Sequence, residues 1–93
     1  KIDAIISISD KSAVQIIRYL KKKKINVPDQ IKVFGFGNEF VGEFIAPSLS
    51  TFDTNTKLVG EEAAKLIIEE LITDVQILEP KIVAGKIIIR DSA

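Results

Sequence analysis

Two polar residues stand at the end of the first apolar run of the sequence, residues 2–9. Ser9 is the last residue of the run, and Asp10 follows it directly. If that run is a strand of an open α/β sheet, they lie at its carboxyl end, where such folds bind ligands. A seryl hydroxyl donates and accepts hydrogen bonds, whereas an ionised carboxylate only accepts them. The simpler interpretation of Asp10 is that it caps the helix that follows, and the two roles can coexist.

A second group of polar residues, Asn38 and Glu39, follows the next apolar run, residues 31–36. The residues Gly-Phe-Gly at 35–37 look like the start of a dinucleotide-binding fingerprint. That fingerprint needs a third glycine three residues later and a helix after it. Phe40 stands at the third position and no clean helical pattern follows, so the spacing does not support nucleotide binding.

The composition of the chain excludes several kinds of catalytic and metal-binding site. The chain has no histidine and no cysteine, which removes the commonest general base and metal ligand as well as thiolate and disulfide chemistry. Two carboxylate pairs, at 61–62 and 69–70, are interpreted as the solvated face of a helix rather than as a metal site. Thirteen basic and thirteen acidic residues argue against a nucleic-acid groove in this part of the protein. We therefore predict no catalytic residue, no metal and no cofactor, and a protein that is not an enzyme.

The elements that must position these residues follow from the periodicity of the sequence. Residues 2–9 are apolar on both faces near the middle, as in a buried parallel strand. Residues 12–24 carry apolar side chains at helical spacing, and lysines 21–24 face the negative end of that helix. After a connector in which Pro28 stops the helix, residues 31–36 form a second strand. This is one βαβ unit, so we predict that the two strands lie parallel in one sheet with the helix crossing one face.

The second half of the chain is predicted to contain one long helix. Segment 40–49 is irregular but apolar, and Pro47 stops regular structure there. The helix is expected at 57–73, after the N-cap candidates Asn55 and Thr56. Its apolar stripe consists of Val59, Ala63, Leu66, Ile67 and Leu71. Short extended runs are expected at 50–52, 79–84 and 86–90.

Length and composition suit one small ordered domain or a piece of a larger one, because the chain has 93 residues of which 46% are hydrophobic. No apolar run is long enough to span a bilayer, so no membrane association is expected. The N-terminus lacks a basic segment before its apolar run, unlike a signal peptide. Since the sequence opens almost directly in a strand, we interpret its start as a boundary inside a longer protein.

Five segments of the sequence, taken in order, carry a resemblance that no single segment would support. They are Asp3-Ala4-Ile5 with Ser9-Asp10, and the segments 27–36, 47–52, 60–66 and 87–92. In this order and at this spacing they resemble motifs of the LacI/GalR bacterial transcription regulators. The resemblance covers essentially the whole chain.

The resemblance implies an α/β fold in which the chain is a parallel βαβ-containing fragment of a two-lobed periplasmic-binding-protein-like (type I) domain. Residues 2–53 and 86–93 would belong to the C-terminal lobe and 54–85 to the N-terminal lobe, with crossings near 53–55 and Gly85. A small-molecule, sugar-like effector would bind between the lobes, and closure would change how a homodimer holds operator DNA. The helix-turn-helix that contacts the DNA would lie outside this chain, and the protein would be cytoplasmic.

The resemblance also implies an effector site, at which this sequence departs from the family in three places. Ser9 replaces an asparagine, Gly37 replaces an aspartate that accepts hydrogen bonds from sugar hydroxyls, and Thr54 replaces a glutamine. Asn38 or Glu39 can substitute for the missing carboxylate from the same loop; otherwise the effector differs from a plain sugar or the site is degenerate. The implied ligand-binding residues are Ser9, Asp10, Gly37, Asn38 and Thr54.

A homodimer interface is expected at helix 12–24 and segment 40–49, where the resemblance places the symmetric contact between subunits. Segment 40–49 also carries more apolar side chains than a two-strand core can cover, and exposed apolar patches usually mark contacts. The alternative is that it packs entirely within its own lobe. The stripe of helix 57–73 must fold back or pair with a neighbouring chain, because each large side chain left exposed forgoes about 1.5–3 kcal/mol. The predicted interface residues are Val14, Ile17, Phe40, Val41, Phe44 and Ile45.

Two other functions remain as alternatives. The first is an exported solute-binding protein of the same fold, which an upstream signal peptide would indicate, whereas an upstream helix-turn-helix would indicate a regulator. The second is an α/β enzyme built on the βαβ unit, which the absence of histidine, cysteine and any nucleophile motif weakens. The segments 27–36 and 47–52 favour the regulator.

Overall fold

The chain forms a four-stranded sheet with one helix packed on a face and a longer helix that extends beyond it. The computed structural model describes all 93 residues, Lys1–Ala93. The elements in chain order are β1 (Ala4–Ile6), α1 (Asp10–Lys22), β2 (Lys32–Phe36), α2 (Val41–Phe44), β3 (Ser50–Asp53), α3 (Thr56–Thr73) and β4 (Lys86–Ile88).

The sheet order is β1-β2-β3-β4, with the first three strands parallel and β4 antiparallel to β3. Ile5 pairs with Val33 and Phe34 with Ser50, which confirms the predicted parallel βαβ unit. Strand β1 is shorter than the predicted run 2–9. The chain turns after Ser7, whose hydroxyl donates to a main-chain carbonyl two residues later at 3.0 Å.

Helix α1 begins earlier than predicted, and its cap is a different residue. Ser9 is the N-cap, and its hydroxyl accepts the amide N–H of Ser12 at 3.1 Å. The expectation that Asp10 caps this helix is therefore wrong, because Asp10 is already helical and directs its carboxylate into the fold. At the other end Lys21 and Lys22 occupy the last turn, where positive charge is favoured by the helix dipole.

The core lies between α1 and one face of the sheet. Ile17 belongs to it and is 5% exposed, so its side chain is covered by its own chain, and its contact with a partner subunit stays a prediction. Ile17 lies at helical spacing from the other buried residues of α1, so its side chain faces the sheet as theirs do. The fully packed apolar residues are Ala13, Ile17, Leu20, Val33 and Leu49.

The opposite face of the sheet is exposed and apolar. Ile6 is 80% exposed and Ile87 is 65% exposed. Phe36 and Phe52 stack on this face with ring centroids 5.3 Å apart. The chain therefore covers only one of the two faces of its sheet.

Helix α3 has no buried residue along its 18 positions. Its predicted stripe is mostly exposed, including Ile67 at 60% and Leu71 at 78%, with Leu66 half-buried, and the stripe does not fold back onto the sheet. The chain is consequently elongated, with extents of 59 × 27 × 18 Å. Its helices are all too short or too polar to cross a membrane.

The tail between α3 and β4 is irregular. Segment 79–84 forms no strand and pairs with no part of the sheet, so its extended conformation stays a prediction. Lys81 lies 3.6 Å from Glu62 and holds the tail along α3. The predicted extended run at 86–90 is confirmed over its first three residues, which form β4.

Candidate functional site

The carboxylate of Asp10 joins three elements at the carboxyl edge of the parallel strands. Its Oδ1 accepts the hydroxyl of Thr51 at 2.5 Å, and its Oδ2 accepts the amide N–H of Glu39 at 2.6 Å. Asp10 and Thr51 are both fully buried. Because both carboxylate oxygens already have partners within the protein, Asp10 fixes the edge rather than facing solvent.

Gly35 makes room for this carboxylate. A Cβ at Gly35 would collide with Oδ1 of Asp10 and would approach Cδ2 of Leu49 to 2.9 Å. Only glycine therefore lets the carboxylate lie over β2. The Gly-Phe-Gly run that resembled a dinucleotide fingerprint serves this close approach.

Asn38 lies in the loop after β2 and has both ends of its side-chain amide engaged. Its Nδ2 donates to Oδ2 of Asp53 at 3.2 Å, and its Oδ1 accepts from Nη2 of Arg90 at 2.9 Å. Its backbone N–H donates to the hydroxyl of Thr51 at 3.3 Å. The backbone is left-handed, with φ 54°, which asparagine tolerates better than most residues. The preceding Gly37 has φ 123°, so a side chain there would be strained.

Arg90 is the functional candidate that sequence reasoning missed. Its Nη1 donates to the carbonyl of Leu49 at 2.8 Å, and its Nη2 lies 3.3 Å from Glu43 and also reaches Asn38. The side chain is 14% exposed. The signal that could have identified Arg90 was its position: apart from Arg18 it is the only arginine in the sequence, and it directly follows the apolar run 87–89.

Asp53 ends β3 at the start of the segment that leads into α3. Its Oδ1 accepts the amide N–H of Asn55 at 2.8 Å. That backbone hydrogen bond, the side chain of Asn38 and the charge of Lys86 lower the pKa of the Asp53 carboxyl, while partial burial opposes them. Asp53 is therefore an anion held in place where β3 ends and the connection to α3 begins.

The remaining predicted ligand residues lie at the same edge but take no part in this network. The Ser9 hydroxyl donates to that of Ser12 at 3.0 Å, within its own turn. Gly37 and Thr54 are partly exposed, after β2 and β3 respectively.

A polar pocket of about 280 Å³ opens beside Thr54 and carries both a carboxylate and an ammonium group. Its lining residues are Asp53, Asn55, Ala84, Gly85 and Lys86.

Three of the predicted interface residues, Phe40, Val41 and Phe44, form a small apolar surface around α2. Phe40 is 79% exposed, Phe44 69% and Val41 40%. The rings of Phe40 and Phe44 lie 4.6 Å apart. Val14 and Ile45 are partly buried against the core. We refer to Phe40, Val41 and Phe44 as the α2 surface.

The whole chain, residues 1–93, matches the family of periplasmic binding protein-like domains. Among curated proteins, it is 33% identical over 69 residues to the lactose operon repressor of Rhizobium radiobacter, covering 74% of this chain and 61% of the relative. It is 34% identical over 80 residues to the ribose operon repressor of Lactococcus lactis, covering 86% of this chain and 24% of the relative. The chain thus spans less than two thirds of the length of either relative.

Solved structures agree in fold with this chain. The periplasmic binding ribose operon repressor protein of Lactobacillus acidophilus is 32% identical, with a TM-score of 0.90 over 97% of this chain and 34% of that one. A periplasmic binding protein/LacI transcriptional regulator of Alkaliphilus metalliredigens, solved with D-xylulofuranose, is 31% identical, with a TM-score of 0.85 over 97% of this chain and 34% of that one. These similar proteins are regulators rather than enzymes.

Proposed function

This chain belongs to the family of periplasmic binding protein-like domains, and on that basis we propose that it is the C-terminal part of the effector domain of a LacI-type transcription regulator. The observation that carries the proposal is the polar edge at the carboxyl ends of β1, β2 and β3, beside the crossing into α3. Open α/β sheets bind their ligands at that edge.

The proposed effector is a sugar or a sugar-like small molecule. Support comes from relatives named for lactose and ribose operons and from the similar regulator solved with D-xylulofuranose. The edge offers fixed hydrogen-bond donors and acceptors, which orient a polyhydroxylated ligand. In this proposal the domain binds its effector and catalyses no reaction.

The ligand residues divide into two groups in this proposal. Ser9, Thr54 and the backbone of Gly37 contact the effector directly, since these residues are partly exposed at the edge, whereas Asp10 is buried. Asp10 and Asn38 act indirectly, because their side chains are engaged by the protein and hold the loop that carries Gly37. The absence of a side chain at Gly37 gives a specificity different from that of an ordinary neutral-sugar site.

The proposed assembly is a homodimer in the cytoplasm that holds operator DNA through a helix-turn-helix outside this chain. The α2 surface would lie on the two-fold axis, flanked by Val14 and Ile45, so that the same residues of both subunits meet. Two adjacent phenylalanine rings supply the large apolar anchors that such contacts use.

Calorimetry on the complete gene product tests effector binding. We expect one member of a panel of D-ribose, D-xylulose, lactose and their phosphates to bind, and Thr54→Ala to weaken that binding about tenfold through a lost hydrogen bond. Lys22→Ala, at the far end of α1, is the matched control and should leave the affinity unchanged. A folded protein that binds no panel member, or an unaltered affinity in Thr54→Ala, would count against this site.

The alternative function is an exported solute-binding protein of the same fold. The relatives above favour the regulator. Reading the coding sequence upstream distinguishes the two: a helix-turn-helix supports the regulator, and a signal peptide supports the transport protein.

A further inference from the structure

We propose that Arg90 is a positioning residue that fixes the crossing from β3 into α3 by acting through Asn38 and Asp53. Its guanidinium reaches Asn38, Asn38 reaches Asp53, and Asp53 accepts the amide of Asn55, at 2.9, 3.2 and 2.8 Å respectively. This series of hydrogen bonds begins just after β4 and ends one residue before α3.

The chemistry of the partners determines the orientation of the Asn38 amide. Arginine can only donate hydrogen bonds, so the atom that faces Arg90 must be the carbonyl oxygen. An ionised carboxylate can only accept them, so the atom that faces Asp53 must be the NH₂ group. The amide thus connects a fixed cation to a fixed anion and satisfies both. If Arg90 loses its donors, the amide loses the partner that holds its oxygen away from Asp53.

The crossing is the part of the chain where this restraint matters most. Helix α3 has no buried residue, so packing does not set its direction relative to the sheet. That direction depends on the connections at 53–55 and 84–86. At the first connection Asn55 adopts a left-handed backbone with φ 56°, and its N–H is held by Asp53. Arg90 therefore restrains the conformation from which α3 departs.

The same guanidinium also contacts the segment that carries the α2 surface. It binds the carbonyl of Leu49, directly before β3, and approaches Glu43 within α2. One side chain therefore contacts the flank of the proposed dimer surface directly and reaches the crossing through Asn38. A change in the crossing on effector binding would be transmitted to α2 through Arg90. This consequence alone rests on the proposed function.

Amide hydrogen exchange by NMR on the complete gene product tests the positioning role without any ligand. We expect Arg90→Gln to speed exchange of the Asn55 amide about tenfold, the effect of one lost charge-assisted hydrogen bond. Exchange at Leu20 and Val33, in the core, should be unchanged. The matched control is Arg18→Gln, the same substitution at the exposed arginine of α1, which should have no effect at Asn55.

The double variant separates positioning from a merely structural role. If Arg90 acts through Asn38, then Arg90→Gln combined with Asn38→Ala should exchange at Asn55 no faster than Asn38→Ala alone. Additive effects, unchanged exchange at Asn55, or equally faster exchange throughout the core would each overturn the proposal. Should Arg90→Gln fail to fold, unchanged Asn55 exchange in Asn38→Ala overturns it as well. D-ribose and D-xylulose binding is measured separately, so a failure there counts against the proposed function alone.

Discussion

At the scale of single residues, the buried carboxylate of Asp10 has the largest predicted effect on stability. Asp10→Ala would leave the Thr51 hydroxyl and the Glu39 N–H without an acceptor. An unsatisfied buried donor costs about 1–3 kcal/mol, so we expect the free energy of unfolding to fall by about 2–5 kcal/mol in urea denaturation of the complete gene product. Asp29→Ala, on an exposed loop, is the control and should change it by less than about 0.5 kcal/mol.

A loss for Asp10→Ala no greater than for Asp29→Ala would mean that water replaces the carboxylate at this edge. Asp10→Asn offers a finer comparison, because it keeps the shape but presents one acceptor and one donor group to two donors. Its stability should lie between those of the wild type and Asp10→Ala.

The carboxyl of Asp53 gives a pH-dependent prediction at the same scale. Its pKa lies below the ordinary value of 3.8, through hydrogen bonds from Asn55 and Asn38 and the charge of Lys86. A depressed pKa contributes stability above pH 3.8, which is lost as the pH falls through the lower value of the folded state. NMR titration should show the pKa rising towards 3.8 in Asn38→Ala. Glu61→Gln, distant on α3, should leave the Asp53 titration where it is, and an unshifted pKa in Asn38→Ala would contradict the assigned cause.

At the scale of secondary-structure elements, the N-terminus of α1 depends on Ser9. Its hydroxyl accepts the Ser12 amide, and an N-cap serine contributes about 0.5–2 kcal/mol relative to alanine. We therefore expect Ser9→Ala to lower the free energy of unfolding by about 1 kcal/mol. Ser9→Asp retains a capping oxygen and should recover most of the loss in the same denaturation experiment. Equal losses in the two variants would show that capping is not the source of the effect.

The short helix α2 carries the prediction about assembly. Phe44 is 69% exposed beside Phe40, and each large apolar side chain that becomes buried contributes about 1.5–3 kcal/mol. Sedimentation equilibrium of the complete gene product should show a dimer that Phe44→Glu weakens at least about tenfold. Tyr19→Glu, which places the same charge on another exposed aromatic residue, should leave the dimer intact. A monomeric wild type, or a dimer indifferent to Phe44→Glu, would refute the interface.

At the scale of the whole molecule, two apolar surfaces of the chain lack a cover, namely α3 and the outer face of the sheet. Ile68 and Ile72 of α3 are 54% and 79% exposed, and Ile6 of the sheet is 80% exposed. Apolar area of this extent marks contact surfaces. We therefore expect the 93-residue chain alone to exchange the amide hydrogens of α3 almost as fast as an unfolded peptide, because helix stability in proteins comes mostly from packing.

The matched measurement uses the complete gene product, in which the same amides should exchange at least about a hundredfold more slowly if further segments cover α3. Core amides of α1 that face the sheet provide the internal reference in both samples. Strong protection of α3 in the isolated chain would show that the helix finds its own cover, by folding back or by pairing with a second copy.

The sequence by itself determined most of the elements and their order, although not the short helix α2, because hydrophobic periodicity is a local property that neighbouring residues encode. The βαβ unit, the parallel arrangement of β1 and β2 and the long helix α3 were all predictable in this way, whereas the register of the strands was not. The family followed from five short segments in register. The resemblance also implied a crossing between lobes near Asp53, which stays a prediction.

Only the tertiary structure decided what each polar residue at the carboxyl edge does. The partners of Asp10 lie 29 and 41 residues away along the chain, and Arg90 lies 52 residues from Asn38. No local pattern distinguishes Ser9 from Asp10 as the N-cap of α1, since both side chains can cap a helix. Ser9 is the cap because the Asp10 carboxylate accepts hydrogen bonds from donors that are distant in the sequence. Similarly, helical spacing placed Ile17 on the apolar face of α1 but could not show whether the sheet or a partner subunit would cover it. Periodicity specifies which residues must be buried, whereas the assembled fold specifies what buries them.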